Sequence, residues 1–274
     1  MGPHVYNTLI LSDLHLGAET SHAREATSVL KENRFQRLIL LGDIFADLNF
    51  ARLTKDHWKF LGCIRKLSNP KRGIEVVWVE GNHDHGLANI ISHLVGVRVY
   101  HDYRWEYRGL QHIAIHGHQF DGFQVNSLRL SRLGTSLYLQ LQKLDFKSKP
   151  IVRMIDRLNT RWLRMSSKVS SGAIAYAKHH EAQRIFCGHT HQALHVEQDG
   201  VGYYNSGGWV DSRLTYLTLD EMGVQIHEFD KREYEERADH RDSSEERGEI
   251  DSAAADFADE PGLLEDVEYE GVGR

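Results

Sequence analysis

The sequence predicts an α/β fold in which two β-sheets pack face to face with helices outside, plus a helical cap inserted late in the chain. Three observations carry this expectation. Short runs rich in Leu, Ile and Val recur, each ending in a polar cluster. Helix-compatible stretches at 23–34 and 54–68 separate the first three runs. Two further runs near residue 220 flank a turn.

The first runs are Asn7 to Ser12, ending at Asp13; Arg37 to Leu41, ending at Gly42-Asp43; and Glu75 to Val79, ending at Glu80-Gly81-Asn82. His112 to Ile115 then ends at His116, and Arg184 to Cys187 at Gly188-His189. Such continuous apolar runs read as strands buried on both faces. The β-α-β-α-β rhythm predicts parallel strands, beyond whose carboxyl ends ligands gather. Every reactive cluster falls at that end. Farther on, Arg213 to Leu219 and Val224 to Phe229 flank Asp220-Glu221-Met222-Gly223 as a hairpin. With Val97 to Tyr100 and Tyr103 to Tyr107 they predict a second sheet.

Between the fourth and fifth clusters, residues 122–178 hold 11 Lys or Arg and only two acids, Asp145 and Asp156. Leu130, Leu133, Leu137, Leu141 and Leu144 recur at helical spacing, as do Ile151, Ile155, Leu158 and Trp162. This predicts a basic amphipathic cap, about 122–180, set over the strand ends of a domain spanning 1–230. Residues 231–274 carry 16 acids against six basic residues and few apolar ones. They read as an acidic, disordered tail with no chemistry of its own.

The 274 residues suffice for one well-cored domain, and 41% hydrophobic with 26% charged content is that of a water-exposed globular chain. Cys63 and Cys187 are the only cysteines, so no disulfide framework is expected and a reducing setting fits. No signal-peptide pattern precedes Leu9, and no apolar run approaches the ~18 residues of a membrane span. The expectation is a cytoplasmic protein, whose basic cap gives it a route to peripheral contact with the inner face of a membrane. No oligomeric state is read from the sequence.

Eighteen histidines are unusual, and their placement decides their meaning. Asp13-Leu14-His15 sets two side chains on one side of an extended segment. Gly42-Asp43 adds a carboxylate behind a glycine, and Gly81-Asn82-His83-Asp84 adds an amide and an imidazole. His116-Gly117-His118 and Gly188-His189-Thr190-His191 add further imidazoles. Taken singly, an Asp at a strand end is as often a helix cap, and a lone His116 or His191 a satisfied loop residue. Five clusters in fixed order, each after an apolar run, point instead to a metal site.

The series DLH, GD, GNHD, HGH and GHTH resembles the calcineurin-like metallophosphoesterase superfamily over roughly residues 8–210. That resemblance implies two mixed sheets flanked by helices and a dinuclear phosphoesterase. It assigns Asp13, His15, Asp43 and His191 to one metal, and Asp43, Asn82, His116 and His189 to the other. His83 would protonate the leaving oxygen or stabilise its charge, and Asp84 would orient His83. His85 and His118 would either contact substrate or stand as solvated loop residues, while Arg129 and Arg132 of the cap are further candidates for substrate contact. Mixed oxygen and nitrogen donors suit Mn²⁺ first, with Fe²⁺ or Zn²⁺ also suited, over an all-oxygen Ca²⁺ or Mg²⁺ cage.

HGHQFDG, the long insertion, CGHTH and YYNSGGWVDS are similar to the UDP-2,3-diacylglucosamine hydrolase branch. That likeness implies cleavage of a lipid-linked nucleotide sugar to UMP and lipid 1-phosphate, a lipid A precursor, at a membrane face. The best-known members carry Arg where this chain has His83, and Ala46-Asp47-Leu48 does not reproduce their aromatic motif. A broader phosphodiesterase or phosphatase acting on nucleotides or nucleic acid is the alternative. A non-catalytic scaffold fits least, because all seven expected ligand positions are filled.

Overall fold

A computed structural model of the chain describes residues 4–86, 88–121 and 166–235. Arg129, Arg132, most of the expected cap and most of the acidic tail therefore lie outside the described residues. Residues up to Phe229 form one compact unit, and those from Asp230 belong to another.

Strands β1 (Val5–Leu11), β2 (Arg34–Leu41), β3 (Glu75–Val79) and β4 (Val99–Tyr100) run parallel. Helices α1 (Ala23–Glu32), α2 (Lys55–Leu67) and α3 (Ala88–Val95) make the crossovers. Both faces of these strands are buried, which explains their unbroken apolar runs. Leu9, Leu11, Leu38, Leu40 and Trp78 face α1, α2 and α3. Their alternates Ile10, Ile39, Leu41, Val77 and Val79 face the second sheet.

That second sheet has the order β5 (Asp102–Tyr107), β6 (Leu110–Ile115), β7 (Arg184–Cys187), β9 (Val201–Asn205), β8 (Leu194–Gln198). Strands β6, β7 and β9 are parallel, with β5 and β8 antiparallel at the edges. Trp105, Ala114, Phe186 and Tyr204 fill its inner face. Helix α4 (166–179) covers the outer face, laying Ala173, Ile174 and Ala177 on Ile113, Ile115 and Ile185. The described part of the first unit is thus an α/β/β/α stack, two mixed sheets flanked by helices. Among the described residues no helix is long and apolar enough to cross a membrane.

The four runs expected together in a second sheet divide between both. Only β5 joins it. Strand β4 extends the first sheet beside β3, and the hairpin β10 (Thr215–Asp220) with β11 (Gly223–Glu228) docks antiparallel on β1. The reason is the open edge of β1. Pairing Ile10 with Leu217 closes it and carries Leu217 and Leu219 into the space between the sheets. Strands β8 and β9 and helix α3 are additions to the expected elements. Asp199 (φ 54°) and Gly200 (φ 79°) turn β8 into β9 as a two-residue loop with both residues left-handed. An Asp-Gly pair between apolar runs is the sequence signal for such a hairpin.

Phe186 is fully buried between the sheets. Phe186→Ala is expected to cost about 3–5 kcal/mol in urea unfolding. Met222→Ala, in an 83% exposed turn, is expected to stay within about 0.5 kcal/mol of the parent.

Candidate metal centre

The site forms where the parallel strands of both sheets stop. Beyond β1 and β2 the backbone pairing continues: the Asp13 N–H donates to Gly42 O (3.0 Å), His15 N–H to Asp43 O (3.0 Å) and Leu16 N–H to Ile44 O (2.7 Å). It continues through residues in an unfavourable conformation. Asp13 (φ 52°), His15 (48°), Asp43 (50°), His189 (68°) and His191 (55°) are all left-handed. Left-handed backbone costs a non-glycine residue about 1–2 kcal/mol, and here it gathers at one site.

Two glycines make room for the carboxylates. A Cβ at Gly81 would meet the backbone nitrogen and Oδ1 of Asp43, and one at Gly188 would meet Oδ2 of Asp13 and Oγ of Ser12. The residues beside Asp13 and Asp43 are glycine because a side chain would occupy the carboxylate's own place.

Three sets of donor atoms converge, each within 4.8 Å: Asp13, His15 and His191; His15, Asp43 and His83; Asp43, His116 and His189. His191 Nε2 stands 3.3 Å from Asp13 Oδ1 and 3.1 Å from His15 Nε2. His116 Nε2 stands 3.2 Å from Asp43 Oδ2. The other oxygen of Asp43 accepts the His83 N–H at 2.8 Å, and both oxygens of Asp13 accept the His189 N–H at 3.2 and 3.0 Å.

Two buried atoms test whether this donor set fits a cation. Asn82 Oδ1 is shielded from solvent and accepts no hydrogen bond, and His116 Nε2 likewise has no hydrogen-bond partner. His116 Nδ1 donates to Leu41 O at 2.9 Å, because a carbonyl can only accept, which leaves Nε2 as the nitrogen that faces Asp43. A buried acceptor left unsatisfied costs about 1–3 kcal/mol; a divalent ion would satisfy Asn82 Oδ1 and take the place of a proton at His116 Nε2. The donor set fits.

Electrostatics agree. Burial pushes the Asp43 carboxyl up, yet His116 and its neighbours hold it well below the usual carboxylate range. Asp13 is likewise lowered, by His191 against burial. The reciprocal effect lifts His116 to about 9 and His191 to about 10, the carboxylates overcoming burial. His15, where burial dominates, falls to about 4. The two buried carboxylates thus draw positive charge to themselves, held here on His116 and His191.

The expected role of Asp84 needs correction. Its carboxylate does not bond His83 but accepts the N–H groups of Ile44 (3.0 Å) and Phe45 (2.9 Å), clamping the loop after Asp43. Burial, then Asp43, raises its carboxyl to about 7. His83 is oriented instead by Ala46, whose carbonyl accepts Nδ1–H at 2.7 Å. A backbone acceptor has no sequence signal. His85 is solvent-exposed, with Nδ1 3.4 Å from Glu80 Oε1, away from the donor sets. His118 lies beside them, its ring 5.5 Å from that of His116 and its Nδ1 buried without a partner. Two residues outside the predicted set also reach the ligands: Asp121 at His189 and Asp211 at His191.

Acid and imidazole donors thus converge in three overlapping sets at the ends of parallel strands. Residues 7–222 match the calcineurin-like phosphoesterase superfamily domain, and the chain belongs to that superfamily. Solved structures it is similar to include an archaeal phosphodiesterase (15% identity, TM-score 0.45, covering 81% of this chain and 98% of that one). Another is Yfce, a phosphoesterase from E. coli (13%, TM-score 0.44, 81% and 99%). A third is wild-type Vps29 from Entamoeba histolytica complexed with zinc (14%, TM-score 0.39, 81% and 99%). No curated protein matches the chain.

Gly81→Ala should displace the Asp43 carboxylate and abolish turnover of bis-p-nitrophenyl phosphate. Gly62→Ala, inside α2 with open space at the Cβ, is the control. It is expected to keep full activity and raise stability by about 1 kcal/mol or less, read by urea unfolding.

Proposed function

We propose that the chain hydrolyses a phosphoester or pyrophosphate bond with two divalent ions, manganese first among them. Asp13, His15, Asp43 and His191 would hold one ion, and Asp43, Asn82, His116 and His189 the other. The observation that carries this reading is Asp43, which stands within reach of His15 on one side and of His116 and His189 on the other. Two ions sharing it would acidify a water and offset the charge of the phosphoryl oxygens.

The chain's own contribution is orientation and proton supply. His83 keeps its Nδ1–H on Ala46 O and turns Nε2 toward the mouth of the site, 4.0 Å from Asp43 Oδ2. Nε2 is the nitrogen that would hand a proton to the leaving oxygen. The fixed ring needs no reorganisation during the reaction, which is the advantage of a preset donor.

For the substrate we infer a lipid-linked nucleotide sugar of the UDP-2,3-diacylglucosamine type, cleaved to UMP and lipid 1-phosphate. Its support is HGHQFDG, CGHTH and YYNSGGWVDS, together with the basic, Leu-rich stretch 122–178, including Arg129 and Arg132. Basic side chains of such a stretch would meet phosphates while its apolar residues would shelter acyl chains or rest on a cytoplasmic membrane face. His83, standing where that branch carries Arg, favours a second reading: a broader phosphodiesterase or phosphatase.

UMP release by the manganese-loaded protein from UDP-2,3-diacylglucosamine separates the two readings, with bis-p-nitrophenyl phosphate alongside. The first reading expects efficient UMP release; turnover of the artificial diester alone would exclude it and leave the second. Under both, Asn82→Ala is expected to abolish turnover. His83→Ala is expected to lower kcat by about 10²–10⁴-fold with little change in metal content.

A further inference from the structure

Two carboxylates outside the five motifs face the ligand histidines from behind. Asp121 Oδ2 lies 3.4 Å from His189 Nε2, with both side chains only 12% exposed. Asp211 Oδ2 lies 3.5 Å from His191 Nδ1, its own side chain 59% exposed. The contacts use opposite ring nitrogens on two residues that are next-but-one neighbours in the chain. A neutral imidazole, the form that ligates a metal, presents one nitrogen as a lone pair when it donates from the other. His189 is then left with Nδ1 and His191 with Nε2, and it is Nε2 of His191 that approaches Asp13 and His15.

We infer that Asp121 and Asp211 are positioning residues for the two metal sites, each fixing the tautomer and ring angle of one histidine in Gly188-His189-Thr190-His191. The inference rests on the ligand assignment proposed above. Both histidines sit in left-handed backbone just beyond β7, and the carboxylates reach them from other loops.

Asp121 is itself well anchored. It closes the turn after β6, its N–H donating to His118 O at 3.2 Å. The preceding Phe120 packs on α4 so closely that a Cβ at Gly172 would meet its Cβ at 2.8 Å. The helix on the outer face of the second sheet therefore sets where Asp121 stands, and Asp121 sets His189. Asp211 has no such backing and lies in solvent, so its hold on His191 is the weaker of the two.

The test is calorimetric titration of the metal-free full-length chain with Mn²⁺, comparing wild type with Asp121→Asn and Asp211→Asn. Loss of such an outer carboxylate costs about 10–100-fold in metal affinity. Asp121→Asn is expected near the upper end, at one of two sites only; Asp211→Asn near the lower end, at the other. Wild-type affinities at both sites in both variants would overturn the inference. Wild type that binds fewer than two ions, or His189→Ala that titrates like wild type, would instead overturn the ligand assignment. A second reading needs no variant: histidine ¹⁵N spectra of the zinc-loaded wild type. They are expected to show N–H at Nε2 of His189 and at Nδ1 of His191; the reverse pattern would equally overturn the positioning role.

Discussion

Asp43 is buried where a carboxylate has no water to lean on. One oxygen accepts the His83 N–H, and the other faces His116 at 3.2 Å. Its backbone carbonyl receives the N–H of His15, and its side chain fills the space that only a glycine at 81 leaves open. A charge so enclosed must be balanced by positive partners or by a cation. Each of the five motifs can be understood as answering that one demand, by supplying a donor, a cation-binding nitrogen or the room for them.

The architecture meets it by bringing two parallel edges together. β1, β2 and β3 deliver Asp13, Asp43 and Asn82, and β6 and β7 deliver His116 and His189, from opposite sheets across a shared apolar layer. Neither sheet has the full donor set. Dense packing of Ile10, Ile39, Val77, Phe186 and Tyr204 between them fixes the distance across which the ligands meet. Around this frame the loops are cross-tied by polar contacts: Ser12 Oγ lies 2.7 Å from Ser206 Oγ, and Asn205 Nδ2 donates to Gly188 O at 2.6 Å.

The strands and ligand motifs are legible because each carries two independent signals, an apolar run and a reactive residue beside a glycine. Asp43 and His116 could be found that way, and Asp13 by its apolar run and the His15 two residues on. The sheet to which each strand belongs could not, since Leu217 reads as apolar whether it pairs with β1 or with β9; pairing is a long-range choice made by an open edge. The second tier of the site is silent for a different reason. Ala46 acts through its carbonyl, which any residue has. Asp84 lies beside His83 in the chain but turns to the backbone of Ile44 and Phe45. Asp121 and Asp211 lie within HGHQFDG and YYNSGGWVDS, but nothing in those stretches says which histidine each acid faces. Only the Asp199-Gly200 hairpin was available to a pattern of residues alone and lay unused.

The distance along the chain between partners has a kinetic meaning. His15 and His191 touch across 176 residues of sequence, so their meeting waits on both sheets having formed and docked. Closing so long a loop is slow and comes late, because its entropy must be spent before the contacts reward it. A chain emerging from synthesis would hold the amino-terminal ligands for some time before the carboxyl-terminal histidines arrive. Until then Asp13 and Asp43 stand without the imidazoles that face them in the finished fold. The contact between His15 and His191 thereby reports that both sheets have formed and met.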